Sequence, residues 1–258
     1  MRFLIPLNMK SKKLYYILIP ILLLCLWQVI SHFKLVSPLF LASPHDVLTN
    51  LIDSFQKGSM LSDIGHTLYR VIVGFGIAAI VGVPLGLLMG YSNKIYNALE
   101  FTVEFFRGIP TTALFPLFLL AFGIGDEAKF AVTAWGVGLV ILINSMYGVH
   151  LGKELRVRVA KTMKLKGFGL FRRVIFPEAL PQIFSGFRIA ISLSLIIVIV
   201  TEMFIGTNAG LGKRIIDAQL VYQTASMYAA ILMTGVIGFV LNKIMMIIDN
   251  HIVHWKGR

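Results

Sequence analysis

Long apolar stretches recur along this chain, and they limit its fold more than any other feature. Several approach or exceed the roughly 20 apolar residues that an α-helix needs to cross a bilayer. The 258 residues are 57% hydrophobic and 14% charged, against about 25% charged in an ordinary soluble domain. The strict alternation of a transmembrane β-barrel is absent. The sequence therefore predicts an all-α, polytopic membrane protein: a single transmembrane domain over residues 1–258 with about six transmembrane helices.

The expected spans are 14–31, 67–91, 99–122, 130–148, 183–205 and 227–248. Residues 1–13 carry Arg2, Lys10, Lys12 and Lys13 and no acid. This flank and the run behind it imitate a signal peptide, but no small-residue cleavage site follows, so an uncleaved first span is expected. Ser43 and Pro44 read as the N-cap and first residue of a short amphipathic helix carrying Leu48, Leu51, Ile52 and Phe55 on one face. The second span holds Gly74, Gly76, Gly82, Gly86 and Gly90, small residues that let helices approach closely in lipid. The third is irregular, with Glu104, Arg107, Pro110 and Pro116. Its prolines free backbone groups that need partners in protein or in a wet cavity. Six spans place both termini on one side, and the N-terminus, the 149–182 loop and the tail are all basic. The positive-inside rule makes that side cytoplasmic.

The 149–182 segment is the polar exception in a hydrocarbon-rich chain. Between Lys153 and Arg188, which reaches a little past this segment, there are nine Lys/Arg against two acids, Glu154 and Glu178. Val159, Met163, Phe168 and Phe171 nevertheless recur at helical spacing, and prolines bracket the end. A basic loop with short amphipathic helices suits the docking of another protein, whereas a loop that only sets topology has no need of ordered spacing.

A net charge of +12 would suggest nucleic acid in a soluble protein. Here the clusters flank spans, so topology and anionic membrane lipid account for them and no nucleic-acid partner is expected. The single cysteine, Cys25, has no companion for a disulfide or a metal site. The chain has neither a Gly-rich phosphate loop followed by Lys-Ser/Thr nor a nucleophile–base arrangement, so no catalytic, cofactor-binding or metal residues are expected. Ionisable residues at membrane depth are Arg70, Glu104, Arg107, Arg188 and Glu202. Each lies near a span end, where snorkelling accounts for it. Arg107, Pro110, Asn144 and Glu202 are the candidates for a solute pathway, with Asn144 equally readable as an interhelical hydrogen-bonding residue.

These residues resemble the permease subunits of bacterial ABC importers, in particular the nitrate/sulfonate/taurine branch. The family's cytoplasmic signature reads Glu-Ala-Ala, three residues, Gly, nine residues, Ile-x-Leu-Pro. Arg158, Val159 and Ala160 occupy its start and Val174, Ile175, Phe176 and Pro177 its end, with Pro181 following. Further matching segments are Ser43 to Val47, Thr67 to Arg70 with Gly74, Gly82 to Gly86, Arg107 to Pro110 with Pro116, Glu202-Met203 and Gly210-Leu211-Gly212. Two positions depart: Arg158 replaces the glutamate and Lys164 the glycine. Lysine tolerates the left-handed bend poorly, so either the bend has moved toward Gly167 or the segment is straighter.

The resemblance implies a type I importer permease with a cytoplasmic coupling loop. The residues of that loop are Arg158, Val159, Ala160, Met163, Lys164, Leu165, Gly167, Phe168, Pro177 and Pro181. It further implies a permease homodimer, an ABC ATPase dimer that holds ATP with Mg, and an extracytoplasmic solute-binding protein, in the bacterial cytoplasmic membrane. The chain itself would be no enzyme and bind no cofactor. The solute would be small and anionic, like sulfonates, taurine or nitrate. Other classes are a stand-alone carrier or channel, which needs no ATP, a membrane-embedded lipid enzyme, and a membrane scaffold that recruits a partner without transporting.

Overall fold

The computed structural model describes the backbone of residues 9–150, 159–160 and 162–255, with side chains from residue 18 onward within those ranges. In chain order the helices are α1 (Met9–His32), α2 (Pro44–Gln56), α3 (Ser59–Tyr91), α4 (Asn93–Arg107), a 3-10 turn (Thr111–Leu114), α5 (Phe115–Phe122) and α6 (Asp126–His150). Then come α7 (Gly167–Leu170), a π turn (Phe171–Ile175), α8 (Phe176–Phe204), α9 (Leu211–Leu220) and α10 (Thr224–Ile252). No strand occurs among the described residues. The chain divides into two compact units, residues 1–60 with 214–232, and residues 61–213 with 233–258.

In the first unit, the Ser43 hydroxyl accepts from the Asp46 N–H, and Pro44 sits where a missing donor costs nothing. The helix stops at Lys57, followed by Gly58 at φ +72°. Leu48 and Ile52 are exposed while Val47 and Ser54 turn inward, which leaves α2 an apolar outer stripe. The Trp27 indole N–H donates to the Ala42 carbonyl at 3.0 Å, its ring packs on Tyr228, and the Tyr228 hydroxyl donates to the Phe40 carbonyl.

Among the described residues, four helical segments are long and apolar enough to cross a membrane: Ser59–Tyr91, Asp126–His150, Gly167–Phe204 and Thr224–Ile252. The expected first span, 14–31, lies within α1, whose described apolar stretch is Leu18–His32. The expected third span, 99–122, is not one straight helix. Asn93–Arg107 and Thr111–Phe122 meet at 89°, as one broken span or a re-entrant loop. The break falls at Gly108 to Pro110, because proline disfavours helical geometry at Ile109 and cannot donate to the turn before it. The fifth expected span also begins earlier than its apolar run. Gly167–Phe204 is a continuous helical segment of 38 residues, about 57 Å at 1.5 Å per residue.

The second unit is built on α3, α6 and α8. Ala78, Val137, Ile141 and Ala190 form one buried core between them, and Leu87, Ala179 and Ile183 another. Gly82, Gly86 and Gly90 recur every four residues along one side of α3. A Cβ at Gly82 would stand 2.9 Å from the Gly138 carbonyl oxygen, and one at Gly90 2.7 Å from Val149 Cβ. Only bare backbone fits that closely against α6. On α8, Gly186 similarly admits Asn144 of α6.

Candidate functional site: a folded basic segment and a buried ion cluster

Among the expected coupling residues, Arg158 lies outside the described residues. Of the others, Val159, Ala160, Met163, Leu165 and Pro177 line one cleft, and Gly167 and Phe168 line another. Ala160, Leu170 and Ile175 are buried together, with Leu165, Phe171 and Val174 packed on them. Around this small core Val159, Met163 and Phe168 point outward, Met163 at 73% and Phe168 at 75% exposure. That is a large apolar offering at the end of a basic segment. Pro177 lies in the first turn of α8 and Pro181 inside it. Pro177 removes the donor that would bond the Arg173 carbonyl in an α-helix. The turn before it widens to a π turn, which the Phe176 N–H closes onto the Phe171 carbonyl.

The bend at the signature-glycine position is retained. Lys164 adopts φ +62°, and Gly167 adds a second left-handed residue at φ +54°. The segment is not straightened: a bend stands at Lys164 and a second at Gly167. The Leu165 N–H reaches back to the Ala160 carbonyl at 3.1 Å, the long closing bond of a helix that ends on a left-handed residue. Packing of Leu165 on the Ala160 core holds the lysine in a conformation that costs a side-chain-bearing residue about 1 kcal/mol or more. Lys164→Gly should therefore slow local opening of the segment about fivefold, read as amide hydrogen exchange at Ala160 to Leu170. Unchanged exchange there would mean that no strain resides at Lys164.

The pathway candidates do not converge. Arg107 pairs with Glu104 at 2.7 Å, both half exposed, an arrangement worth little. Pro110 marks the break between α4 and the 3-10 turn. The Asn144 amide donates to the Val140 carbonyl at 2.8 Å and accepts from Gln182 Nε2 at 3.2 Å, joining α6 to α8.

Glu202 has a different setting. Its carboxylate is fully buried, and Arg70 Nη1 donates to it at 2.6 Å. The Thr67 hydroxyl and the Gly212 N–H donate to it as well. Arg70 spends its remaining donors on Asp126 (2.7 Å), the Ala209 carbonyl (2.7 Å) and the Thr207 hydroxyl (2.8 Å). Lys129, also buried, donates to the Gly125 and Gly206 carbonyls. One arginine thus joins α3, the start of α6, the end of α8 and the loop after it. Gly210, at φ +142°, lies directly over the carboxylate, and a Cβ there would fall 2.5 Å from Glu202 Cδ. The Gly210-Leu211-Gly212 pattern is what lets the loop close over a buried ion pair. Snorkelling is therefore wrong for Arg70 and Glu202: both face inward and neutralise one another. Arg188 is paired too, with Asp249 at 2.6 Å. The signal available in the sequence was opposite charge at the same end of three separate spans.

The profile described as "Binding-protein-dependent transport system inner membrane component" matches residues 82–256. A nitrate import permease protein, NrtB, of Leptolyngbya laminosa is 33% identical over 79% of this chain and 74% of its own length. A putative aliphatic sulfonates transport permease protein, SsuC, of Bacillus subtilis is 27% identical over 93% and 87%. The taurine transport system permease protein TauC of Escherichia coli is 27% identical over 91% and 87%. Among solved structures, the inward-facing MetNI methionine ABC transporter superposes with a TM-score of 0.68 at 17% identity, over 76% of this chain and 97% of that one. The likeness to MetNI shows a common fold.

Proposed function

Because the chain belongs to the family of binding-protein-dependent transport system inner membrane components, we propose that it is the pore-forming permease subunit of an ATP-driven importer of a small anionic solute of the sulfonate, taurine or nitrate class. The solute class rests on the relatives named for these compounds. Two copies would form the pore in the bacterial cytoplasmic membrane, with both termini cytoplasmic, as the basic flanks favour. An ABC ATPase dimer, carrying ATP and Mg, would receive the folded basic segment of each copy. A solute-binding protein would engage the opposite face. The chain would carry the solute and leave ATP hydrolysis to its partner.

One observation carries this reading: the end of the basic segment and the span behind it form one continuous helical segment. Phe168 stands at one end of Gly167–Phe204, and Glu202, with the outer loop fastened to it, at the other. Movement of a docked ATPase at Val159, Met163 and Phe168 would be passed along α8 to that loop. Coupling requires only that ATP and the loaded binding protein favour the same pore state.

The test is ATP hydrolysis by the purified permease with its candidate ATPase in lipid vesicles, with and without the binding protein and each solute. Stimulation by one loaded binding protein is expected. Met163→Asp, which places a charge in the apolar patch, should abolish co-purification of the ATPase while the permease elutes as before. Assembly and stimulation equal to those of the unaltered chain would remove the patch from the docking surface. Solute uptake without any ATPase would replace the importer by a carrier working alone.

A further inference from the structure

The proposed docking surface holds Val159 and Met163 on one side of the basic segment and reaches Phe168 at its edge. A second cleft, of about 740 Å³, lies between that segment and the final turns of α3, lined by Pro84, Leu88 and Tyr91 on one wall and Phe168, Phe171 and Phe176 on the other. The volume is that of a small-molecule site. The aromatic wall is continuous: Tyr91 meets Phe171 edge-on at 5.8 Å, and Phe171 packs against Phe168 at 6.5 Å and Phe176 at 6.3 Å.

Its position along α3 defines what it can hold. Pro84 to Tyr91 are the last residues of the apolar span, so the cleft begins about 10 Å inside the hydrocarbon stretch and ends where Ser92, Asn93 and Lys94 turn polar. Lys94, Lys164, Lys166 and Arg172 are exposed on the segments that flank its polar end, whereas Arg173 lines the separate cleft beside Pro177 and Trp255. No Asp or Glu occurs from Val159 to Pro177 or from Ser92 to Leu99. Water is a poor occupant for such apolar walls. An occupant with an apolar tail at membrane depth and an anionic head at the interface satisfies both ends.

We propose that this cleft seats one acyl chain of an anionic phospholipid, whose phosphate group meets the basic rim. The bound lipid ties the end of α3 to the segment that carries Phe168. The assignment rests on the membrane-spanning character of α3 and is independent of which solute, if any, is transported.

The test uses the full chain, purified in detergent and incubated with phosphatidylglycerol or with phosphatidylcholine of the same acyl composition. Lipid retained per protomer is counted by native mass spectrometry. One retained phosphatidylglycerol is expected, in preference to phosphatidylcholine. Lys166→Gln with Arg172→Gln should lower that preference roughly thirtyfold, two interfacial cations being removed. Leu88→Trp fills the cleft from a half-exposed position and should abolish retention of both lipids at an unchanged melting temperature. Excess inorganic phosphate should not displace the lipid, since the tail supplies most of the binding. Equal retention of the two lipids, or full retention by Leu88→Trp, would overturn the proposal and leave only exchanging annular lipid. Displacement by phosphate alone would equally overturn it, in favour of a simple anion site.

Discussion

Arg70→Met should destabilise the folded chain by about 3–5 kcal/mol, the usual cost of removing one member of a buried ion pair. Glu202 would keep the Thr67 hydroxyl and the Gly212 N–H, but its charge would lose its direct partner and keep only the more distant Lys129. Glu202→Gln should cost less, because Arg70 retains Asp126, which is 31% exposed. The double variant Arg70→Met/Glu202→Met should be more stable than Arg70→Met alone, since no uncompensated charge remains at the buried position. That ordering separates an ion pair from simple packing, for which the double variant would be no more stable than Arg70→Met alone. The melting temperature of the detergent-purified protein reads all three, with a drop of order 10 °C expected for Arg70→Met. A melting temperature equal to that of the unaltered chain would show that the cluster is dispensable. The loop after α8 should respond first: amide exchange at Thr207 to Gly212 should accelerate in Arg70→Met even at low temperature. Arg70 holds both Thr207 and Ala209.

Different layers of this structure were open to sequence reasoning to different degrees. Membrane-spanning helices were legible because a bilayer imposes a length of apolar run that little else requires. The Ser43 cap was legible because it is a local contract between residues three apart. The ordered basic segment was visible in the spacing of Val159, Met163 and Phe168. The bend at Lys164 was not, since local propensity argues against it and the opposing force is tertiary, the burial of Ala160 with Leu170 and Ile175. The 89° turn at Pro110 was only half visible. Two prolines marked irregularity, but their effect on direction depends on what α4 and α5 pack against. Least legible was the Arg70, Asp126 and Glu202 cluster. Its members are 56 and 132 residues from Arg70, and each near a span end has a sufficient private explanation. Only their shared location makes a network.

The glycine stripe gives the second large effect. Gly86→Leu should abolish folded, monodisperse protein. A Cβ at Gly86 would meet the Leu142 carbonyl and stand 2.7 Å from Ser145 Cβ. The obstacle is the backbone of α6, so no choice of rotamer relieves it and α3 must move away as a body. Separation would also open the contacts that bury Ala78 against Val137 and Ile141, which places the cost at or above the roughly 3 kcal/mol upper range of ordinary overpacking. Gly76 provides the control on the same helix, because nothing lies within 4 Å of a Cβ there. Gly76→Leu replaces the poorest helix former short of proline with a good one and should melt at or slightly above the unaltered temperature. Size-exclusion profiles of the two variants, solubilised in parallel from membranes, make the comparison. If Gly86→Leu elutes and melts like Gly76→Leu, the close approach of α3 to α6 is not what holds this unit together. The four-residue period of Gly82, Gly86 and Gly90 would then have another cause. If it collapses while the control survives, the bare backbone on that face is the requirement, and side chains elsewhere on α3 are free to vary against lipid.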